Sequence, residues 1–226
     1  MLPVRTRLPG GAVLFDLDGT LIDSTPVTAA AIGETLAAFG RTISVAEVAA
    51  AMGTGLPLRR WFMEGLGLEE DEAEAAYHHY VDTIVARAGL VQPMPGAVDL
   101  LRALNGRAVP MAVVTTRLVQ IAQPMIAAVG WTDYFALIVG QETAARPKPA
   151  PDPALFALDA LGAARERSAF IGDTESDMRC GRDAGLATVI GLTGVCSREA
   201  LLAAGATYVC AGLAEVQTLL TRRSPA

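Results

Sequence analysis

The sequence is poor in residue types on which many enzyme sites depend. Of its 18 lysine and arginine residues, only Lys148 is a lysine. The only two histidines, His78 and His79, are adjacent to each other. The three cysteines form no CxxC pair, so neither a disulfide framework nor a cysteine-based zinc site is predicted. Any chemistry in this chain that needs a side-chain amine therefore has one candidate.

Long apolar runs are also missing, although hydrophobic residues make up 52% of the chain. A membrane-spanning helix is therefore not predicted. The first ten residues contain two arginines and two prolines, which is unlike a signal peptide, so we expect a cytoplasmic protein. The formal net charge of -6 argues against non-specific binding to nucleic acid. Composition gives no indication of the oligomeric state.

Short apolar stretches alternate with helical patterns over most of the chain. Residues 12–16 predict the first strand, in which residues 13–15 are expected to be buried on both faces, and two acids, Asp16 and Asp18, lie where it ends. Comparable strand-like stretches precede Thr115 and Asp173. The alternation predicts an α/β fold built on a doubly wound parallel sheet.

One long segment interrupts this alternation. Residues 26–88 carry helical patterns and no strand-like stretch, so they predict an all-helical insert in the α/β core. We therefore expect residues 1–23 and 93–226 to form the core domain, and residues 24–92 to form the inserted domain.

The polar residues that follow the strands suit one another chemically. In a doubly wound sheet, ligands bind beyond the carboxyl ends of the strands. Asp16, Asp18, Asp173 and Asp177 would converge there, and carboxylates so close together repel one another unless a cation is present. Hard oxygen ligands suit Mg²⁺, which binds beside phosphate groups. The sequence therefore predicts a Mg²⁺ site.

The nucleophile is expected to be an aspartate, because both histidines lie in the insert, far along the chain from these strand ends. An aspartate can be activated by a metal ion and by a neighbouring positive charge. Lys148 lies between two prolines and can neutralise both the nucleophile and a phosphoryl group. The hydroxyl of Thr115, with the backbone N–H groups after it, can hold phosphate oxygens.

Four motifs, in order along the chain, resemble those of the haloacid dehalogenase superfamily of phosphatases. Residues 16–24 (DLDGTLIDS) are similar to the first motif, and Thr115 after an apolar strand is similar to the second. Residues 148–152 (KPAPD) resemble the third motif, and residues 172–177 (GDTESD) resemble the fourth. The resemblance implies a Rossmann-like core with a helical cap domain, and it looks closest to the phosphoglycolate phosphatase-like hydrolases.

The resemblance implies a catalytic role for each matched residue. Asp16 would attack phosphorus and become an aspartyl phosphate. Asp18 would protonate the leaving group and then deprotonate the attacking water. The phosphoryl group would be bound by Thr115, Thr116 and Lys148.

The resemblance also implies the ligands of the metal ion. Mg²⁺ would be held by Asp16, by the backbone carbonyl of Asp18 and by Asp173, with Asp177 as a direct or a more distant ligand. The chain would then be a cytoplasmic, Mg²⁺-dependent phosphomonoester hydrolase that acts on a small soluble phosphometabolite.

Substrate specificity is expected to come from the cap and from one core residue. The glycine-rich turn around Thr54, followed by Arg59 and Arg60, is the best candidate in the cap to contact an anionic substrate. Arg117 stands where many relatives have lysine. We interpret it as a solvated residue at a helix start, and as a candidate contact for the edge of the substrate. Phosphoglycolate, a sugar phosphate, a nucleotide and pyrophosphate all remain possible substrates.

Other activities are less consistent with the sequence. Sugar-phosphate mutases of the superfamily carry a histidine ten residues beyond the second aspartate, where this chain has Thr28. Phosphonate-cleaving relatives use a lysine of the cap, and the insert contains none. Haloacid dehalogenases proper lack the second acid, which here is Asp18. A receiver-like signalling module, which accepts phosphate without turnover, would be much shorter and would have no helical insert.

Overall fold

The computed structural model describes residues 10–44, 46–48 and 57–221. The chain divides into two compact units at the boundaries between Asp23 and Ser24 and between Val91 and Gln92. The unit formed by residues 10–23 and 92–221 is called the core unit below, and the unit between the two boundaries is called the helical unit.

The core unit contains a six-stranded parallel sheet. The described strands of this unit, six in the sheet and two outside it, are in chain order β1 (Val13–Phe15), β2 (Ile22–Asp23), β3 (Gln92–Pro93), β4 (Met111–Val114), β5 (Leu137–Val139), β6 (Ala169–Gly172), β7 (Thr188–Leu192) and β8 (Tyr208–Cys210). The sheet has the order β5-β4-β1-β6-β7-β8, and every neighbouring pair is parallel. The two short strands β2 and β3 form a separate antiparallel pair.

Helices are found in both units. They are α1 (Thr25–Ala38), α2 (Leu58–Glu64), α3 (Glu70–Ala86), α4 (Ala97–Asn105), α5 (Val119–Ala128), α6 (Asp152–Leu161), α7 (Glu175–Asp183), α8 (Arg198–Ala204) and α9 (Leu213–Thr221). In the helical unit, α1 and α2 both pack against α3. Among the described residues, no helix is at once long enough and apolar enough to cross a bilayer.

Strand β1 lies inside the sheet because its residues are apolar on both faces. Leu14 belongs to a buried cluster that includes residues of α6, α7 and α8. Val13 and Phe15 point to the opposite face and are also fully buried. The predicted doubly wound parallel sheet is therefore confirmed.

The position of β1 determines which strand ends are neighbours. Phe15 lies opposite Val113 of β4 on one side and opposite Ile171 of β6 on the other. The carboxyl ends of β4, β1 and β6 are therefore adjacent in space, although Val113 and Ile171 are far apart in the sequence. Ligands of such sheets bind at this edge.

Candidate active site

Three adjacent strand ends carry polar side chains. Asp16 follows β1, Thr115 follows β4, and Asp173 follows β6. The sheet ladder continues into two of these residues, because the N–H of Asp16 donates to the carbonyl of Ile171 and the N–H of Thr115 donates to the carbonyl of Val139, each at 2.9 Å. All three side chains are buried. The parallel register thus brings these residues to one edge of the sheet.

A buried acidic cluster forms at this edge. Each of Asp16, Asp173 and Asp177 offers a carboxylate oxygen, and these oxygens all lie within 4.8 Å of one another. Asp177 lies in the first turn of α7, where it forms a capping box with Thr174. A local helix-start motif therefore directs one acid toward the strand-end acids.

Glycine is needed beside two of these acids. Gly19 has φ +76°, and a Cβ there would come within 2.5 Å of an Asp173 carboxylate oxygen. A Cβ on Gly172 would come within 2.4 Å of the Asp177 Cβ. Both glycines therefore allow close approach of the backbone to the carboxylates.

Lys148 places an ammonium group inside the acidic cluster. Its Nζ lies 2.5 Å from an Asp16 oxygen and 2.6 Å from an Asp177 oxygen. The Lys148 side chain is only 2% exposed. The chain's single lysine is thus buried between two carboxylates, as charge compensation of buried acids requires.

Two acids of the cluster have raised pKa values. Burial raises the pKa of Asp16 well above its usual range, and the nearby acids add to this effect while Lys148 opposes it. Burial raises the pKa of Asp173 to about 6, although a hydrogen bond from Thr20 lowers it. Burial acts to lower the pKa of Lys148, but Asp16 and Asp177 outweigh it and raise that pKa, so the ammonium stays protonated.

The remaining oxygens of the cluster fit a hard divalent cation. Three carboxylates face one ammonium, so ionisation of all three leaves a buried surplus of negative charge. Both oxygens of Asp177 already have partners, one in Lys148 and the other in Thr174. Asp16 and Asp173 are therefore the better placed to hold a metal ion, and carboxylate oxygens are ligands that Mg²⁺ prefers.

Thr20 is a site residue that the sequence analysis missed. Its side chain is fully buried, and its hydroxyl donates to an Asp173 oxygen at 2.7 Å. The two residues are 153 positions apart, so no local pattern predicts the bond. Thr20 lies inside the first motif, and its position there is the signal that could have identified it as a site residue.

Asp18 is held by Arg117 and lies outside the group of carboxylates that converge. The Arg117 Nε lies 2.8 Å from each of the two Asp18 oxygens, and the Arg117 side chain is only 12% exposed. Arg117 is therefore not the solvated residue that the sequence predicted, because it has an ion-pair partner in the core unit. The predicted metal contact of Asp18 uses its backbone carbonyl and stays a prediction.

Of the other predicted substrate and phosphate contacts, the structure describes Thr116, Arg59 and Arg60. Thr116 is exposed directly after Thr115. Thr54 lies outside the described residues. In the helical unit, Arg59 pairs with two glutamates and Arg60 pairs with Glu64. Contact of these residues with a substrate stays a prediction.

Cys180 is the cysteine of helix α7, and its surroundings do not suit a nucleophile. Cys180 lies on α7 and is fully buried, and burial raises the pKa of its thiol to about 12. A thiol with such a pKa is protonated at neutral pH, and the thiolate is the reactive form. Cys180 therefore serves the core as a small apolar residue.

Known proteins resemble this chain over most of its length. The chain matches the family described as haloacid dehalogenase-like hydrolase over residues 13–190. It is 34% identical over 187 residues to phosphoglycolate phosphatase 1 of Pseudomonas aeruginosa, covering 80% of this chain and 68% of that protein. It is 33% identical over 186 residues to phosphoglycolate phosphatase of Aquifex aeolicus, covering 80% of this chain and 84% of that protein.

A solved structure shows the same fold. It belongs to a haloacid dehalogenase-like family hydrolase from Streptococcus pneumoniae, which superposes with a TM-score of 0.77 at 28% identity. The superposition covers 92% of this chain and 97% of that one.

Proposed function

The chain belongs to the haloacid dehalogenase-like hydrolases, and from this membership we propose that it is a Mg²⁺-dependent phosphomonoester hydrolase working through an aspartyl phosphate. Phosphatase activity is what the family and the named relatives indicate. The proposed substrate is a small phosphorylated metabolite of the phosphoglycolate type. A cytoplasmic location stays a prediction from the sequence.

One observation carries the proposal. Three buried carboxylates and one buried ammonium meet at the carboxyl ends of adjacent parallel strands. Such a cluster is costly in an unliganded protein, because buried ionised groups lose their hydration. A divalent cation would balance the surplus negative charge, and the ammonium would offset that of a phosphoryl group.

The nucleophile in this proposal is Asp16. Its carboxylate oxygen attacks phosphorus as the bond to the ester oxygen breaks, which gives an aspartyl phosphate. Asp18 donates a proton to the departing oxygen and later takes a proton from the water that hydrolyses the intermediate. Two carboxylates at different depths thus take the two roles, since Asp16 is buried and Asp18 is partly exposed.

The phosphoryl oxygens are held by the core unit in this proposal. Thr115 offers its hydroxyl, Thr116 follows it, and Lys148 supplies the positive charge. Mg²⁺, when held by Asp16, Asp173 and the Asp18 carbonyl, would stabilise negative charge that develops on the phosphoryl oxygens.

The proposal is tested by phosphate release from a panel of phosphomonoesters. We expect the purified protein to release phosphate from small phosphometabolites when Mg²⁺ is present. Because the acidic cluster needs a divalent cation to bind phosphate, excess EDTA should reduce release to background, and added Mg²⁺ should restore it. Turnover that is unaffected by EDTA would contradict the metal-dependent mechanism.

The same panel separates hydrolysis from the mutase alternative. A mutase would interconvert sugar-phosphate isomers without releasing phosphate. Phosphate release that matches loss of the substrate supports the hydrolase. The panel should include nucleotides and pyrophosphate, because the sequence leaves both open as substrates.

Stabilisation of the folded protein by Mg²⁺ should depend on pH. With Mg²⁺ at about 100 times its dissociation constant, we expect about 2.7 kcal/mol of stabilisation and a rise in Tm of about 5–10 °C at pH 7.5. The rise should shrink toward pH 5, because the pKa of Asp173 is raised to about 6 and a protonated carboxyl is a poor ligand. Differential scanning calorimetry with and without Mg²⁺ measures both effects.

The pH dependence of the metal-free protein has a defined sign. The folded-state pKa of Asp173, about 6, lies above the unfolded value of 3.8, so the folded state binds this proton more tightly. This group therefore destabilises the metal-free protein increasingly as pH rises from 3.8 to about 6. Above that window its contribution is constant.

Thr20→Val provides the matched test of how Asp173 is positioned. Valine keeps the shape of threonine but removes the 2.7 Å hydrogen bond to Asp173, so we expect Mg²⁺ affinity to fall about 10- to 100-fold. Thr20→Ser keeps the hydroxyl and should retain most of the affinity. Equal Mg²⁺ affinity in the wild type and Thr20→Val would show that this hydrogen bond does not position the ligand.

A further inference from the structure

Arg117 is the part of the site that the family motifs leave unexplained. Its guanidinium contacts both oxygens of Asp18, with Nε at 2.8 Å from each and a terminal nitrogen 2.8 Å from one of them. The Arg117 side chain is 12% exposed and that of Asp18 is 29% exposed. A partly buried arginine with this geometry has the bidentate arrangement by which arginine recognises oxyanions.

The backbone around Arg117 is fixed by its neighbours. The N–H of Arg117 donates to the Thr115 hydroxyl at 3.1 Å, and its carbonyl accepts from the N–H of Gln141 at 3.0 Å. Glu142 accepts from the N–H of Val119 at 2.7 Å, which anchors the start of α5. The loops after β4 and β5 thus hold each other, and they position Arg117 next to the proposed phosphate-binding threonine.

We propose that Arg117 binds a second anionic group of the substrate. The preferred substrates are then phosphomonoesters that carry a carboxylate or another phosphate a few atoms from the ester oxygen. This inference rests on the proposed function, in which Asp18 acts at that ester oxygen. Because Arg117 contacts Asp18, its guanidinium lies within roughly 6 Å of the ester oxygen, about two hydrogen-bond lengths.

The reach of Arg117 suits a small substrate. In a two-carbon ester such as phosphoglycolate, the carboxylate is separated from the ester oxygen by a single carbon. Arginine has five N–H donors on a planar group, so it can bind a substrate oxyanion beside Asp18 or in its place. Asp18 already shows that the Arg117 site accepts a carboxylate in the described core unit. A neutral substituent of equal size gains no such interaction.

The test uses matched substrates and two variants. The substrates are phosphoglycolate, ethylene glycol bisphosphate and ethyl phosphate, which present a carboxylate, a second phosphate and no second anion. For the wild type we expect kcat/KM for at least one substrate with a second anionic group to exceed that for ethyl phosphate by about 10- to 100-fold, as a charge-assisted hydrogen bond provides. Preference between the first two substrates identifies the second anion as carboxylate or phosphate.

Arg117→Gln should reduce this selectivity. We expect it to lower kcat/KM for the preferred substrate with a second anionic group about 10- to 100-fold more than for ethyl phosphate, mainly through KM. Arg117→Lys keeps the charge without the planar fork and should recover part of the selectivity. Arg146→Gln, at an exposed arginine paired with Asp152, should leave the selectivity as in the wild type.

Two results would overturn the inference. In the first, Arg117→Gln lowers kcat equally for all three substrates, which would make Arg117 only a positioning residue for Asp18. In the second, the wild type does not discriminate between ethyl phosphate and the two substrates with a second anionic group. Hydrolysis of ethyl phosphate by the wild type tests the proposed function separately, because that ester has no second anion.

Binding provides a readout that does not depend on turnover. Phosphonopropionate matches phosphoglycolate with carbon in place of the ester oxygen, and propylphosphonate matches ethyl phosphate in the same way. Calorimetric titration should show that Arg117→Gln weakens the binding of phosphonopropionate about 10- to 100-fold more than the binding of propylphosphonate. Equal weakening of the two ligands, or no weakening, would overturn the inference even if no ester were hydrolysed.

Discussion

Replacing Asp16 with asparagine should abolish phosphate release, with turnover falling by about 10⁴-fold or more. The asparagine amide has nearly the same shape as the carboxylate but is not a nucleophile, so no aspartyl phosphate can form. The measurement is phosphate release from an aryl phosphate in the presence of Mg²⁺. Undiminished turnover by Asp16→Asn would refute the assignment of the nucleophile.

The same variant should fold normally. Asp16→Asn removes one carboxylate from a buried cluster with surplus negative charge, and Lys148 keeps Asp177 as its partner. We therefore expect the metal-free Tm to equal or exceed that of the wild type, because burial raises the pKa of Asp16 and its ionisation is costly. Asp159→Asn makes the same chemical change at an exposed residue of α6 and should leave both activity and Tm unchanged.

Lys148→Met should cause the largest loss of stability among the substitutions considered. Removing one partner of a buried ion pair leaves uncompensated charge, which costs about 3–5 kcal/mol. For a chain of this length that lowers the Tm by roughly 6–20 °C. Activity should also fall by at least about 100-fold, since Lys148 is the positively charged side chain that offsets the phosphoryl group in the proposed mechanism. Thermal unfolding at pH 7.5 without Mg²⁺ measures the fall in Tm.

The pH dependence identifies the cause of that loss. In Lys148→Met, the destabilisation should shrink as pH falls, because a proton on Asp16 removes the charge that lysine compensated. Arg146→Met is the matched control, because Arg146 lies in the same loop but is 70% exposed. Its surface pair with Asp152 should contribute less than about 1 kcal/mol. Equal Tm values for Lys148→Met and the wild type would contradict the assigned role of the buried ammonium.

Local patterns were enough to predict the strands that carry the site. An apolar run that ends in polar residues marks the end of a buried strand, so Asp16, Thr115 and Asp173 could be assigned to strand ends. Alternation of strands and helices then implied a parallel sheet, whose carboxyl ends lie at one edge. The bounds of a strand moved by a residue, as at Val13–Phe15, which was predicted to begin at residue 12.

Two elements escaped prediction for different reasons. The β2–β3 pair joins Ile22–Asp23 to Gln92–Pro93. Strands of two residues are too short to show an alternation of apolar and polar residues, and these two lie far apart in the sequence. Helix α8 has only seven residues, and its start is marked by Ser197, whose hydroxyl accepts from the N–H of Ala200. That cap was a usable signal that the sequence analysis did not apply.

The sequence by itself determined the class of fold, the order of the motifs and the residue types available for chemistry. The spacing of apolar residues and the local composition depend only on residues near one another in the sequence, so both can be read along the chain. Only the tertiary structure decided which side chains touch: Thr20 with Asp173, and Arg117 with Asp18. These pairs are separated by 153 and 99 positions, and their contact depends on the register of parallel strands rather than on any neighbouring residue.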